Sequence, residues 1–144
     1  MTAHRGRVVT QALLTVLSNA GITAGDGVAP DGVGWDDGTP GVDTFDPYVV
    51  VHATLGGIFD GSVGDPYQDA KVDYTLTSVG ATQQQAQWMN DEVYATLTST
   101  ALTVSGRSVL QASPEVEGGA TRDDDVQPPV WFAPSRWRIY TTTT

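Results

Sequence analysis

The sequence predicts an α+β domain in which two amphipathic helices pack on one face of a mostly antiparallel, four-stranded sheet, in the order helix, strand, strand, helix, strand, strand. Three observations carry that prediction. Apolar residues recur at helical spacing in two separate segments, β-branched and polar residues alternate between them, and the C-terminal stretch is again strand-like. A helix with one apolar stripe and a sheet with one apolar face bury each other, which gives two layers. With 144 residues, no internal repeat and no compositional boundary, residues 1–144 are expected to form a single domain with a core of its own.

The first helix is expected from about Gly6 to Ala20, because Val9, Leu13, Val16 and Ala20 fall at i, i+4, i+7 and i+11, with Leu14 and Leu17 widening the stripe. Gly21 supplies a left-handed cap, and Ile22 can fold back on Leu17. Residues 23–47 contain six aspartates, no Lys or Arg, and no periodicity, so they read as a long functional or partner-ordered loop. Tyr48–Leu55 and Lys71–Val79 read as an antiparallel pair of strands. The second alternates Val72, Tyr74 and Leu76 against Lys71, Asp73, Thr75 and Thr77. The connection over 56–70 is too long for a tight turn and is expected to form a protruding arm carrying Ile58, Phe59 and Tyr67.

The segment Thr82-Gln83-Gln84-Gln85 matches a capping box, and Ala86, Met89, Val93 and Leu97 continue it as a helix to about Thr100 with Trp88 and Tyr94 flanking the stripe. A short strand is expected around Val104–Gln111. Pro134 is expected to divide the last segment into two pieces, Val130–Ala133 and Arg136–Thr141, at least one of them on a sheet edge.

Composition narrows the chemistry. There is no cysteine, so disulfides, thiolate metal sites and a thiol nucleophile are excluded. The net charge of -10 comes from 17 acidic residues, 14 of them Asp, against 7 basic ones, which opposes a phosphate-gripping DNA binder but suits a surface that DNA slides past. The N-terminal apolar stretch is interrupted by Thr10, Gln11, Thr15, Ser18 and Asn19, so it reads as neither a secretion signal nor a membrane span, and a soluble protein made in a cytoplasm is expected. Phosphate-loop, dinucleotide-binding, nucleophile-elbow, zinc-protease and EF-hand motifs are all absent.

The remaining candidates are few. His4 lies near the terminus, and His52 lies in a strand, where it reads as a packed or surface residue more readily than as a base. Asp123, Asp124 and Asp125 form the best set of carboxylates for a hard cation, although consecutive loop residues seldom converge on one ion and a solvated acidic loop is the plainer account. Arg136-Trp137-Arg138 places an indole on one strand face and two guanidinium groups on the other, which suits either a subunit interface or a core Trp with two solvent-facing arginines.

The order of these parts resembles the tail terminator, or tail-completion, family of long-tailed bacteriophages (siphophages). The segments that carry the resemblance are the helix ending in Ala20-Gly21-Ile22, the strand PYVVVHAT, the strand KVDYTLTSVG running into the helix ATQQQAQWMNDEVYATL, and the late Asp-rich loop leading to VWFAPSRWRIYTTT. The match spans nearly the whole chain as a pattern, with no short diagnostic motif, and a neighbouring head–tail connector or minor tail protein would share it. It implies a structural virion protein, assembled in the host cytoplasm, forming a ring, usually hexameric, at the head–tail junction. That ring would cap the tail tube protein and meet a head-side connector or stopper protein. Double-stranded DNA would pass through it without specific binding, and no enzyme activity, cofactor or membrane would be involved.

Within such a ring the expected subunit contacts are Trp35, Phe45, Ile58, Phe59, Arg136, Trp137 and Arg138, and the expected lining of the DNA channel is Asp123, Asp124 and Asp125. Two readings from other classes stand beside it. One is a small metal-dependent enzyme built on Asp123–Asp125 with His52; the other is a monomeric binding module, for carbohydrate for instance, using Trp35, Trp131 and Trp137.

Overall fold

A computed structural model describes residues 5–35, 45–53, 58–62, 65–104, 107–117, 119–125 and 129–143. In chain order the elements are α1 (Arg5–Asn19), β1 (Ala24–Asp26), β2 (Gly34–Trp35), β3 (Phe45–Asp46), β4 (Tyr48–Ala53), β5 (Ile58–Ser62), β6 (Asp65–Gly80), α2 (Gln83–Ser99), β7 (Arg107–Glu117), β8 (Thr121–Asp123) and β9 (Val130–Thr143). The α+β class holds, but the sheet is larger than expected and mixed. Seven strands form it along the path β1-β4-β6-β9-β7, with β5 joined to β6 and β8 to β9, and β1 runs parallel to β4. A separate ribbon pairs β2 with β3.

Two long strands make the spine. β6 and β9 pair antiparallel without a register shift from Asp69↔Thr142 to Gly80↔Trp131. Each is longer than any single neighbour on its outer flank, so each takes two. β4 covers Tyr74–Val79 of β6 and β5 covers Asp65–Lys71; β7 covers Ser135–Thr143 of β9 and β8 covers Val130–Phe132. The segment around Pro134 is therefore one interior strand and not two edge pieces. Pro134 falls between Ser135, paired with β7, and Phe132, paired with β8, at the break between these two partners. On that flank a missing amide donor costs no ladder bond, which is why an interior strand tolerates it.

The strand period puts Val49, Val51, Val72, Tyr74, Leu76, Trp137 and Ile139 on one face, all of them buried. Both helices cover this face. Thr10 of α1 is hydrogen-bonded to the Tyr74 hydroxyl (2.9 Å), and Tyr94 of α2 lies 5.9 Å from Trp137, the register partner of Tyr74. Val9, Leu13, Val16 and Leu17 of α1 and Met89, Val93 and Leu97 of α2 complete one core with the sheet. Burial pushes the Tyr74 phenol up to about 12 against the lowering effect of the Thr10 hydrogen bond, with the charge of Asp26 adding to the rise. Trp137 Nε1 donates to Ser135 Oγ (3.1 Å), whose own hydroxyl reaches the Leu76 carbonyl (3.3 Å), so the buried indole is satisfied.

The helix ends follow their sequence signals. Gly21 has φ +82°, and the Ile22 amide donates to the Leu17 carbonyl (2.9 Å) while Ile22 enters the core. At α2 the Gln85 amide donates to Thr82 Oγ1 (3.1 Å). The Gln85 side chain departs from a capping box. Its Oε1 accepts from the Ala81 amide (2.7 Å), one residue further back than the motif requires, and its Nε2 donates to the Phe45 carbonyl (3.3 Å). One carboxamide thus ties the start of α2 to β3.

Of the expected long loop, residues 24–26, 34–35 and 45–46 are strand, and 36–44 lie outside the described residues. The arm over 56–70 is a β-hairpin, β5 against the first half of β6, with a register shift between Asp60 and Ser62. The acidic stretch before the last strand contains the end of β7 and all of β8.

Gly80 is the tightest point between the layers. A Cβ there would lie 2.6 Å from the Ala86 amide nitrogen at the start of α2. Gly80→Ala is expected to push α2 off the sheet and cost about 1–3 kcal/mol, as overpacking does, and Leu76→Ala about 2–5 kcal/mol through the cavity it leaves. Urea unfolding with unchanged m-values would show both. A Gly80→Ala variant as stable as the parent would mean the helix can move without loss.

Candidate assembly surface

The face of the sheet away from the helices is where the polar residues of the alternating strands emerge. Its rows follow from the register: Tyr48–Val79–Phe132, Val50–Thr77–Pro134, His52–Thr75–Arg136, Asp73–Arg138 and Lys71–Tyr140. The first row is capped. Phe45, Val79 and Val130 form a second small core with Tyr48, Ala81 and Phe132, and Phe45 stacks on Tyr48 at 6.1 Å with rings 27° apart. Burial there raises the Tyr48 phenol above its ordinary value. Beyond this cap the described residues of the face, its charged part included, are partly or fully exposed.

Arg138 holds Asp73 through two hydrogen bonds, Nε to Oδ1 at 2.7 Å and Nη2 to Oδ2 at 3.2 Å, with both side chains 31% exposed. That hydrogen-bonded pairing holds the Asp73 carboxyl below its ordinary value, against a smaller opposing effect of burial and with further help from the charges of Arg138, Arg136 and Lys71. Lys71 Nζ lies 5.6 Å from the centre of the Tyr140 ring. Arg136 and His52 are exposed, and Arg136 makes no ion pair among the described residues.

The other sequence candidates are distributed as follows. Trp137 is 1% exposed, so of its two readings the core Trp with outward arginines is the one observed. Phe45 is 7% exposed and belongs to the second core, not to an apolar loop tip. Trp35 pairs with Phe45 in the β2–β3 ribbon, and Ile58 and Phe59 pair with Lys71 and Ala70 in the arm; the side chains of Trp35, Ile58 and Phe59, and all of His4, lie outside what is described. Asp123 ends β8 and accepts from the Asp125 amide through Oδ1 (3.0 Å), while Asp124 is bound by Arg122 (2.6 Å) with both side chains more than half exposed. The run is thus a folded turn with outward carboxylates.

Two constellations proposed from sequence are not assembled. Asp123 pairs with Val130, whereas His52 sits in the row of Arg136, six positions away along β9. At strand spacing that is about 20 Å. Among the described residues no three His, Asp or Glu side chains group as a metal site would require. Trp131 and Trp137 share the helix side of β9, with Trp137 buried, so Trp35, Trp131 and Trp137 do not form one aromatic platform. Grooves beside the α2–β7 connection, one of about 360 Å³ between Val8, Gln11, Thr15 and Thr103 and another of about 420 Å³ between Leu97, Leu102, Val109 and Ala112, have no titratable side chain among the described residues that line them.

Sequence reasoning missed the Asp73–Arg138 pair, which becomes visible only with the β6–β9 register, and undervalued Trp88, which is 53% exposed on α2. No helix is long and apolar enough to cross a membrane among the described residues. No protein-family model matches the chain, and no curated protein is significantly similar to it.

The pairing of Asp73 has a definite pH signature. Its folded value is depressed, so the stability it contributes is present above the unfolded carboxylate value of about 3.9 and is lost as pH falls through the lower folded value. Asp73→Asn is expected to flatten the decline in stability below about pH 4, measured by thermal unfolding across pH. An unchanged acid limb would show that the pair is too well screened to matter.

Proposed function

We propose that this chain is the ring-forming subunit that terminates the tail tube of a long-tailed bacteriophage and joins it to the head-side connector, with DNA passing through the ring. The observation that carries this reading is the arm. α2 runs back along β6, with Ala86 at Gly80, Tyr94 at the level of Tyr74, and Leu97 in the groove with Ala112, the register partner of Ile139. A helix of 17 residues covers roughly 25 Å, or about eight strand residues, so α2 ends near Val72. Leu102 and Val104 extend the cover a little further. The sheet nevertheless continues through β5 and Asp65–Ala70: β9 still flanks β6 at Ala70 and Asp69, and from there to Asp65, roughly 13 Å, only β5 is paired with it.

A two-stranded extension is marginal on its own in water and is useful where it lies against another chain. Head-to-tail contacts that close make rings, which is the arrangement such an arm serves. The charge of -10 fits a conduit, because lumenal Lys or Arg would add salt-dependent phosphate contacts to moving DNA. Asp124 and Asp125 are exposed at the end of β8, and they are the carboxylates we place toward the channel.

A virion reconstruction is expected to show this chain as one closed ring at the head end of the tail. Finding it elsewhere in the particle, or in an open helical array along the tube, would sink the assignment. Reversing Asp124 and Asp125 to Lys while keeping Asp123, whose carboxylate builds the turn, is expected to leave tails assembled and to slow DNA ejection, more so at low salt. Unchanged ejection would place the turn away from the channel.

A further inference from the structure

We infer that the outward face of α2 docks on the open sheet face of a second copy of the same chain, with Trp88 and Asp91 set against Arg136. This contact rests on the ring reading above and specifies which two surfaces would meet in it. On α2 the buried stripe Ala86, Met89, Val93 and Leu97 leaves Gln84, Trp88, Asp91 and Ala95 on the opposite side at i, i+4, i+7 and i+11, all exposed. Among the side chains that are described, Val28, Trp88 and Tyr94 are the large hydrophobic ones left exposed, and Trp88 is the largest of them. An indole held in water on a rigid helix is the kind of side chain that anchors an interface. Beside it stand Asp91 and Glu92, and α2 contains no Lys or Arg to answer them.

The complement lies on the far side of the same domain. In the rows between Val50 and His52 of β4, Lys71 and Thr77 of β6, and Pro134 and Tyr140 of β9, the described charged side chains are Lys71, Arg136 and Arg138 against Asp73, three positive groups and one negative, while the next row toward the arm places Asp60 opposite Asp69. Within these rows, centred on Arg136, the excess is +2, in a chain whose net charge is -10 and which has only 7 basic residues in all. Arg138 is engaged by Asp73; Arg136 is exposed beside it with no ion pair among the described residues. A guanidinium there can stack on an indole and bond a carboxylate at once, which an isolated Lys does less well.

The two surfaces lie on opposite sides of a two-layer domain, so the contact is head-to-tail and not self-complementary about a two-fold axis. Repetition of it closes a ring when the rotation permits. It also lays a helix on the sheet face that has none, so that each sheet is covered on both sides by helices, one pair its own and one from its neighbour.

The absence of cysteine makes a direct test clean. Ala95→Cys on the helix and Thr75→Cys, the cross-strand neighbour of Arg136, are combined in one chain and treated with a short thiol-specific cross-linker in assembled tails. A covalent ladder up to the closed ring is expected from the double variant, and only monomers from each single one. Arg136→Glu is expected to lower the assembled fraction at least tenfold, and Asp91→Arg with Glu92→Arg in the same chain to recover most of it. Rings that give no 75–95 cross-link, or 95–95 dimers from the single variant, overturn this contact while leaving the ring intact. Absence of rings altogether would overturn both the contact and the function proposed above.

Discussion

The unshifted antiparallel ladder between β6 and β9 is the constraint on which the rest of the molecule depends. Because side chains alternate, the pairing Tyr74↔Trp137 commits Val72, Leu76, Ser135 and Ile139 to the helix side and Lys71, Asp73, Arg136 and Arg138 to the other. A slip of one residue in either strand would exchange the two sets and drive charged groups beneath the helices, which no local rearrangement could compensate. The polar atoms that do enter the core reinforce the same register. Trp137 is answered by Ser135 and Ser135 by Leu76 across the ladder, while Tyr74 is answered by Thr10 from α1.

From the length of these two strands follows the outline of the domain. Neither can be flanked by a single partner, so each has a junction on its outer side, and the two junctions have different uses. At the one on β9, Pro134 sits where no ladder bond is required. At the one on β6, the partner changes from β4 to β5 near Lys71, close to the level at which α2 runs out. The projecting hairpin is therefore a consequence of a strand that outlasts its helix. Gln85 links the opposite end, where α2 begins, to the second small core around Phe45.

Both helices were legible to within about two residues because each combines a long apolar stripe with a specific cap, and such signals are local. The central parts of β4 and β6 were legible for the same reason. What escaped depends on pairing between distant segments. β1, β2 and β3 are two or three residues long in Gly- and Asp-rich sequence and exist only through Val49–Val51 and one another. The hairpin was expected as an arm but not as part of the sheet, because its composition, rich in Gly and Asp, hides strand propensity. Pro134 misled because its effect depends on which flank is vacant, a property of β7 and β8. Of the candidate surface, alternation alone set Arg136 and Arg138 opposite Trp137, whereas Asp73 as their neighbour needed the register.

The distribution of charge then takes on a physical meaning that the total does not give. Identical subunits each carrying -10 repel one another, and that repulsion acts over distances comparable with the screening length, about 8 Å at physiological ionic strength. Contacts closer than this are weakened much less by salt than the repulsion between whole subunits. On the proposed function, a chain that is acidic toward a DNA channel and associates with itself is best served by separating its charges. Its few cations belong where they meet carboxylates at short range, and its surplus acid belongs where there is no partner. The open sheet face, with Lys71, Arg136 and Arg138 against Asp73, and the turn at Asp123–Asp125, with Arg122 engaged by Asp124, are arranged in that sense. In the proposed ring the first surface supplies adhesion and the second supplies repulsion, and only their placement on different elements lets one small domain do both.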